Sequence, residues 1–207
     1  MKQKPYIVGI SGGSASGKTY LLKKILKLLP PEKVTLISQD NYYKHISLQE
    51  RDEEGLINFD HPRSVDLDQL IVDMNKILEG ETITLEEYTF NNPNIIPRML
   101  TYKPAPLIIL EGLFIFYPAE LRKLMDLTIF VDAAEHVRLS RRIVRDLEER
   151  GHTDLKGILT SFEKFVAPMH REFIEPYKYQ CDFIIPNNDH MDTALAVLMN
   201  HFRAIVG

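Results

Sequence analysis

The sequence predicts an α/β fold: a parallel sheet of five strands with helices on both faces and a β-hairpin inserted into the alternation. Three observations carry this. Five short apolar runs bounded by turn signals recur along the chain, at Tyr6–Ile10, Val34–Ser38, Leu107–Leu110, Leu127–Val131 and Phe183–Ile185. Helical patterns lie between most of them, and such alternation means βαβ units with both sheet faces covered. One segment breaks the alternation. Thr82–Phe90 and Ile95–Tyr102 read as two strands around the turn-forming Asn91-Asn92-Pro93-Asn94, between the second helix and the third core strand.

Composition narrows what such a fold can do. A chain of 207 residues fits one domain with a small insertion, and a hydrophobic content of 44% supplies a sizeable core. The net charge of −4 argues against a general nucleic-acid binder. The single Cys181 excludes an internal disulfide and suits a reducing cytoplasm. No signal pattern precedes the first strand and no apolar run approaches membrane-spanning length. The seven histidines show no HExxH or paired-ligand spacing, so no structural zinc site is expected.

The first strand, Tyr6–Ile10, runs into Gly12-Gly13-Ser14-Ala15-Ser16-Gly17-Lys18-Thr19. This fits G-x-x-x-x-G-K-[ST], a loop whose glycines let backbone N–H groups converge on phosphate oxygens. A helix follows, with Leu21, Leu22, Ile25, Leu26, Leu28 and Leu29 at helical spacing before Pro30-Pro31. Its N-terminus adds partial positive charge to the loop. Lys18 is then placed to reach the β- and γ-phosphates and Thr19 to hold Mg²⁺.

The second strand ends in Ser38-Gln39-Asp40. Ligands of open α/β sheets bind beyond the carboxyl ends of the strands. Asp40 is therefore a candidate base for an attacking hydroxyl, or else a helix cap. Asn58-Phe59-Asp60-His61-Pro62 offers Asp60 as a carboxylate for a hydroxyl pair, or as an Asx turn before the proline. Asp66, three residues before Gln69, reads as a helix N-cap. The third core strand ends in Glu111-Gly112, where an acid beside Mg²⁺ is expected; the alternative is a solvated strand end. Residues 134–150 read as a helix with Arg138, Arg141, Arg142 and Arg145 within roughly a 100° arc and Leu139, Ile143, Val144 and Leu147 opposite. Few acids share that arc, with Glu148 and Glu149 near it. An arginine face in an acidic chain suggests transferring phosphates and a closing lid at about 138–155. The alternative is a solvated helix with i,i+4 pairs.

Taken together these residues resemble the uridine kinase branch of the P-loop phosphotransferases, related to phosphoribulokinase. The match includes the loop from Gly9 to Thr19, Ser38-Gln39-Asp40-Asn41-Tyr42-Tyr43, Asn58-Phe59-Asp60-His61-Pro62, Glu111-Gly112, Arg141-Arg142-Ile143-Val144-Arg145-Asp146 and Glu149-Arg150-Gly151. The resemblance implies the P-loop NTPase fold, ATP and Mg²⁺, and transfer to the 5′-hydroxyl of a nucleoside such as uridine or cytidine. It further implies Asp40 as base, Asp60 on the ribose hydroxyls, and Tyr43, Tyr88 and Arg142 on the substrate side. Arg145 and Arg150 fall at lid positions and Glu111 at the magnesium-associated acid, and relatives assemble through the hairpin. Three positions depart from the family pattern. No histidine follows Tyr88 in the hairpin, His152 stands in place of a lid arginine, and Ser161 in place of a glutamine. Asn91 or Asn92 offers a donor and an acceptor in the histidine's place. The same chemistry on a non-nucleoside alcohol and a non-catalytic nucleotide switch are the competing readings; no Asn-Lys-x-Asp guanine signature supports the switch.

Overall fold

Why the apolar runs become central strands is visible in how their residues divide between two cores. A computed structural model describes residues 4–90, 92, 95–148 and 154–207. Five strands, β1 (Tyr6–Ser11), β2 (Val34–Ser38), β5 (Leu107–Glu111), β6 (Leu127–Asp132) and β7 (Phe183–Pro186), form one sheet in the order β2-β5-β1-β6-β7, with every pairing parallel. Side chains alternate across it. Val8, Ile10, Leu107, Ile109, Ile129 and Val131 enter one core with α1 (Lys18–Leu28) and α7 (Asp192–Val206). Ile7, Ile108, Leu110 and Phe130 enter the other with α2 (Leu67–Leu78) and α3 (Ala119–Leu124). Each fully buried Ile, Leu or Phe contributes roughly 1.5–3 kcal/mol relative to exposure, which is why both faces must be covered.

Helix ends follow local chemistry. Asp66 caps α2 by accepting from Gln69 N at 3.0 Å, as its spacing predicts. α1 has Gly17 at its N-cap, in the left-handed region (φ 107°), with no side chain closing its first turn. Its free N–H groups therefore face the glycine loop. Leu26 and Leu28, which share the apolar spacing of α1, are exposed.

The hairpin is shorter than the sequence reading has it. β3 (Ile83–Glu86) and β4 (Met99–Tyr102) pair antiparallel, from Ile83↔Tyr102 to Glu86↔Met99. The ladder stops because Tyr88 N turns aside to donate to Asn41 Oδ1 at 3.1 Å, while Pro97 has no N–H to offer. Phe90 then adopts a left-handed conformation (φ 53°) that no strand continues. Of the expected turn, Asn91, Pro93 and Asn94 lie outside the described residues.

The arginine helix is α4 (Glu135–Glu148). After it come α5 (Leu155–Ser161), a π-helical turn (Phe162–Val166), α6 (Ala167–Met169) and a second π turn (His170–Ile174). Among the described residues no helix is long and apolar enough to cross a membrane.

Candidate active site

At the carboxyl edge of the sheet the chain leaves β1 for the phosphate loop and both neighbours of β1 end nearby, the place where an open α/β sheet opens a crevice. A cleft of about 1200 Å³ occupies it. Ser14, Ala15, Ser16, Gly17, Lys18 and Thr19 line one end, Asp40 and Glu111 the floor, and Tyr43, Asp60 and Tyr88 the other end. Arg141, Arg142 and Arg145 form its roof. Nearly every described residue singled out in the sequence thus meets in one cavity. Gly12 and Gly13, at the start of the loop, are buried and do not line the cleft, and Arg150 and His152 lie outside the described residues.

The loop is shaped by close approach. Lys18 Nζ donates to Gly12 O at 2.7 Å and Gly13 O at 3.2 Å, curling the lysine back over the loop. Burial pushes the Lys18 ammonium below its usual range, and the carboxylates of Glu111 and Asp40 oppose that shift. A side chain on Gly13 would force Arg138 and His170 to give way: its Cβ would lie 2.7 Å from Arg138 Nη1 and 3.0 Å from the His170 ring. Asn187 Nδ2 donates to Ser16 O at 2.7 Å and pins the loop from the far side.

Asp40 sits in a 3-10 turn (Gln39–Tyr42) begun by its own N–H bond to Ser38 Oγ at 3.3 Å. Ser38 Oγ in turn donates to Glu111 Oε1 at 2.5 Å. Gln39 points the other way, is fully buried, and accepts from Phe114 N at 2.7 Å; a side chain on Gly112 would collide with it. Burial and the negative charge of Asp40 push the Glu111 carboxyl up to about 7, while Lys18 and the Ser38 hydrogen bond act in the opposite direction. A divalent cation beside Glu111 would offset the push that burial and Asp40 exert on its carboxyl. Glu111 and Thr19 fit an Mg²⁺ that keeps most of its ligands from phosphates and water.

The arginine arc divides. Arg138 is buried behind the phosphate loop, its Nε donating to Ala133 O at 3.1 Å. Arg141 is held by the carbonyls of Asn187 at 2.8 Å and Asn188 at 3.3 Å. Arg142 and Arg145 reach the cleft beside it. The expectation that few acids share the arc is corrected by Asp146. This buried carboxylate accepts from Arg145 Nε and Nη2 at 2.9 and 2.8 Å and lies 3.3 Å from Arg142 Nε. The helix turns its charged face inward and leaves Val144 and Leu147, from the apolar side, exposed. Leu139 packs against the small cluster of Phe162, Val166 and Ala167.

On the acceptor side, Tyr43 and Tyr88 stack at 5.0 Å between ring centroids with 29° between planes, and Phe59 and Phe90 meet them edge-on. Asp60 faces Arg142 at 3.7 Å. Asn92 and Ser161, both noted in the sequence, line this end. Asn41 has no role assigned from the sequence. Its Nδ2 donates to Tyr102 OH at 3.0 Å and its Oδ1 accepts from Tyr88 N, so it ties both hairpin strands to the turn carrying Asp40. Its place between Asp40 and Tyr42 in a motif already singled out was the available signal.

Moving a phosphoryl group from a nucleotide to a hydroxyl is the chemistry that needs a phosphate cradle, a carboxylate opposite it and a cationic roof in one cleft. The class is therefore a P-loop phosphotransferase acting on an alcohol. Within it, the chain belongs to the Phosphoribulokinase / Uridine kinase family, whose model matches residues 7–194. It is 40% identical over 194 residues to a uridine kinase of Brevibacillus brevis, covering 94% of this chain and 90% of the relative. It is 38% identical over 206 residues to a uridine kinase of Macrococcus caseolyticus, covering 98% of each. Among solved structures, phosphoribulokinase from Rhodobacter spheroides superposes with a TM-score of 0.67 at 19% identity, over 88% of this chain and 70% of that one, a likeness of fold.

Proposed function

We propose that this protein transfers the γ-phosphoryl group of ATP to the 5′-hydroxyl of a nucleoside, uridine or cytidine. The observation that carries the reading is the stacked Tyr43–Tyr88 pair beside Asp60, in the same cleft as Lys18 and Asp40. Aromatic faces suit a planar base and a carboxylate suits a ribose diol. The names of the uridine kinase relatives support the same acceptor.

In this reading the backbone of residues 12–17 and Lys18 hold the donor phosphates. Thr19 and Glu111 hold Mg²⁺, which neutralises phosphate charge when bound. Asp60 fixes the ribose, and the tyrosines fix the base. Asp40 aligns the 5′-hydroxyl and accepts its proton as the oxygen attacks the γ-phosphorus. Arg145, with Arg150 of the lid, meets charge that develops on the equatorial oxygens. Water exclusion comes from the arginine helix over the cleft. An acceptor screen with ATP and Mg²⁺ tests the reading. Uridine and cytidine should be phosphorylated with modest discrimination, since the family's hairpin histidine is absent. Turnover of a sugar phosphate or other non-nucleoside alcohol, with no ribonucleoside accepted, would overturn it.

A further inference from the structure

Of the four arginines of α4, Arg138 alone does not line the cleft, yet it lies against the phosphate loop from the other side. It is 3% exposed. Its Nη1 is buried and has no hydrogen-bond partner among the described residues. That nitrogen is 2.7 Å from where a Cβ on Gly13 would stand, and the His170 ring flanks the same point at 3.0 Å. Gly13 has no left-handed φ to demand a glycine, so what its missing side chain permits is this close approach. Glu135, Glu175 and Asp132 are the acids whose charge reaches Arg138, but none pairs with it among the described residues. Asp132 is paired instead with Lys178 at 2.5 Å. Burial accordingly holds the Arg138 guanidinium below its usual range, and its charge is felt by Lys18 at the loop. A buried cation without a carboxylate against it is costly to the free protein.

We propose that Arg138 is a positioning residue for the phosphate donor: its guanidinium backs the loop at Gly13 and holds there a positive charge whose counter-ion is the bound triphosphate. The inference rests on the reading of residues 12–17 and Lys18 as the donor's cradle. Arg138 touches no phosphate in this arrangement. It acts through the loop, by shape at Gly13 and by its field. The loop's own N–H groups supply only partial charges, whereas Arg138 supplies a whole one where solvent and salt screen little. Its neighbour His170 stays neutral, because burial and the surrounding cations oppose its protonation, and so adds no second charge. When the donor binds, phosphate oxygens offset the buried cation, and the cost carried by the free protein is converted into donor affinity. Replacing Arg138 with an apolar side chain therefore leaves the free protein at least as stable and weakens the donor. A brace of the fold would do the opposite to stability.

The test is calorimetric titration of a non-hydrolysable ATP analogue with Mg²⁺ into wild type, Arg138→Met and Arg138→Lys, with the melting temperature of each ligand-free protein. Arg138→Met keeps the length and removes the charge. It should bind the analogue about 10-fold or more weakly, the scale of one charge acting at short range under little screening. Its ligand-free melting temperature should be no lower than that of wild type. Arg138→Lys keeps the charge without the planar fork and should recover much of the lost affinity. The proposal is overturned if Arg138→Met binds the analogue as wild type does, or if Arg138→Lys binds it no better than Arg138→Met. A marked drop in melting temperature, or loss of the fold, in Arg138→Met also overturns it, because Arg138 is then a brace of the native structure. If wild type itself binds no analogue, the reading of the loop as the donor's cradle falls and takes the proposal with it. If wild type binds and Arg138→Met binds equally, the proposal falls alone.

Discussion

Lys18, Asp40 and Glu111 form one electrostatic unit at the floor of the cleft. Each carboxylate supports the Lys18 charge, and Asp40 raises the Glu111 carboxyl. The two acids nonetheless differ in surroundings. Glu111 is tied to Ser38 at the end of a central strand, whereas Asp40 begins a turn that faces the acceptor end. Asp40→Asn keeps shape and removes the proton acceptor. Turnover should fall by at least about 100-fold with nucleotide affinity little changed, because a positioned base contributes about 10²–10⁴-fold. Steady-state kinetics with a nucleotide titration checks this, and a loss confined to nucleotide affinity would make Asp40 a metal-shell residue. These three positions were legible because each is fixed by its own strand and loop. Asp146 was equally available, four residues after Arg142 at ion-pair spacing, but its role depends on the arginines being turned inward, which a face count does not reveal.

At the scale of elements, α4 and the hairpin bring the remaining groups to the cleft. Residues 134–150 were legible as a helix from period alone, but not which way its faces point. The solvent side carries Val144 and Leu147 because Asp146 compensates Arg142 and Arg145 on the protein side. Arg145→Lys keeps the charge and loses the two-pronged grip on Asp146. Turnover should drop about 10-fold or more while acceptor KM changes little, and unchanged turnover would return α4 to a solvated helix. The hairpin was legible as an insertion, though its strand ends were not, since they depend on Asn41, 47 residues before Tyr88 in sequence. Asn41→Ala removes one bond to each hairpin arm, at about 0.5–1.5 kcal/mol each. Acceptor KM should rise about 5-fold or more, with turnover and nucleotide affinity close to wild type.

Across the whole molecule, His170 and Glu111 are titrating groups whose effects on stability run in opposite directions. His170, in the second π turn, is buried beside the phosphate loop. Burial and the cations of Arg138, Lys18, Lys178 and Arg171 push its pKa down to about 3. Between about 3 and its ordinary value of 6.5 the unfolded chain holds a proton that the native chain refuses. Stability from this group is therefore complete above 6.5 and lost as pH falls towards 3. Glu111 does the reverse. Between 4.5 and about 7 the native chain holds a proton that the unfolded chain releases, so stability falls as pH rises through that window. One whole proton corresponds to a slope of about 1.4 kcal/mol per pH unit, and between 4.5 and 6.5 the two slopes offset one another. The melting temperature of the ligand-free protein should accordingly vary little across that interval. Glu111→Gln removes the falling slope and leaves the rise from His170, to which His61, also held below its ordinary value by burial, adds in the same direction, so its melting temperature should climb with pH from 4.5 to 6.5. His170→Gln removes the larger rising slope, so its melting temperature should fall with pH relative to wild type between 4.5 and 6.5. Scanning calorimetry at half-unit steps of pH separates the three proteins. Parallel profiles for wild type and both variants would mean that neither group titrates across the folding transition as its surroundings require.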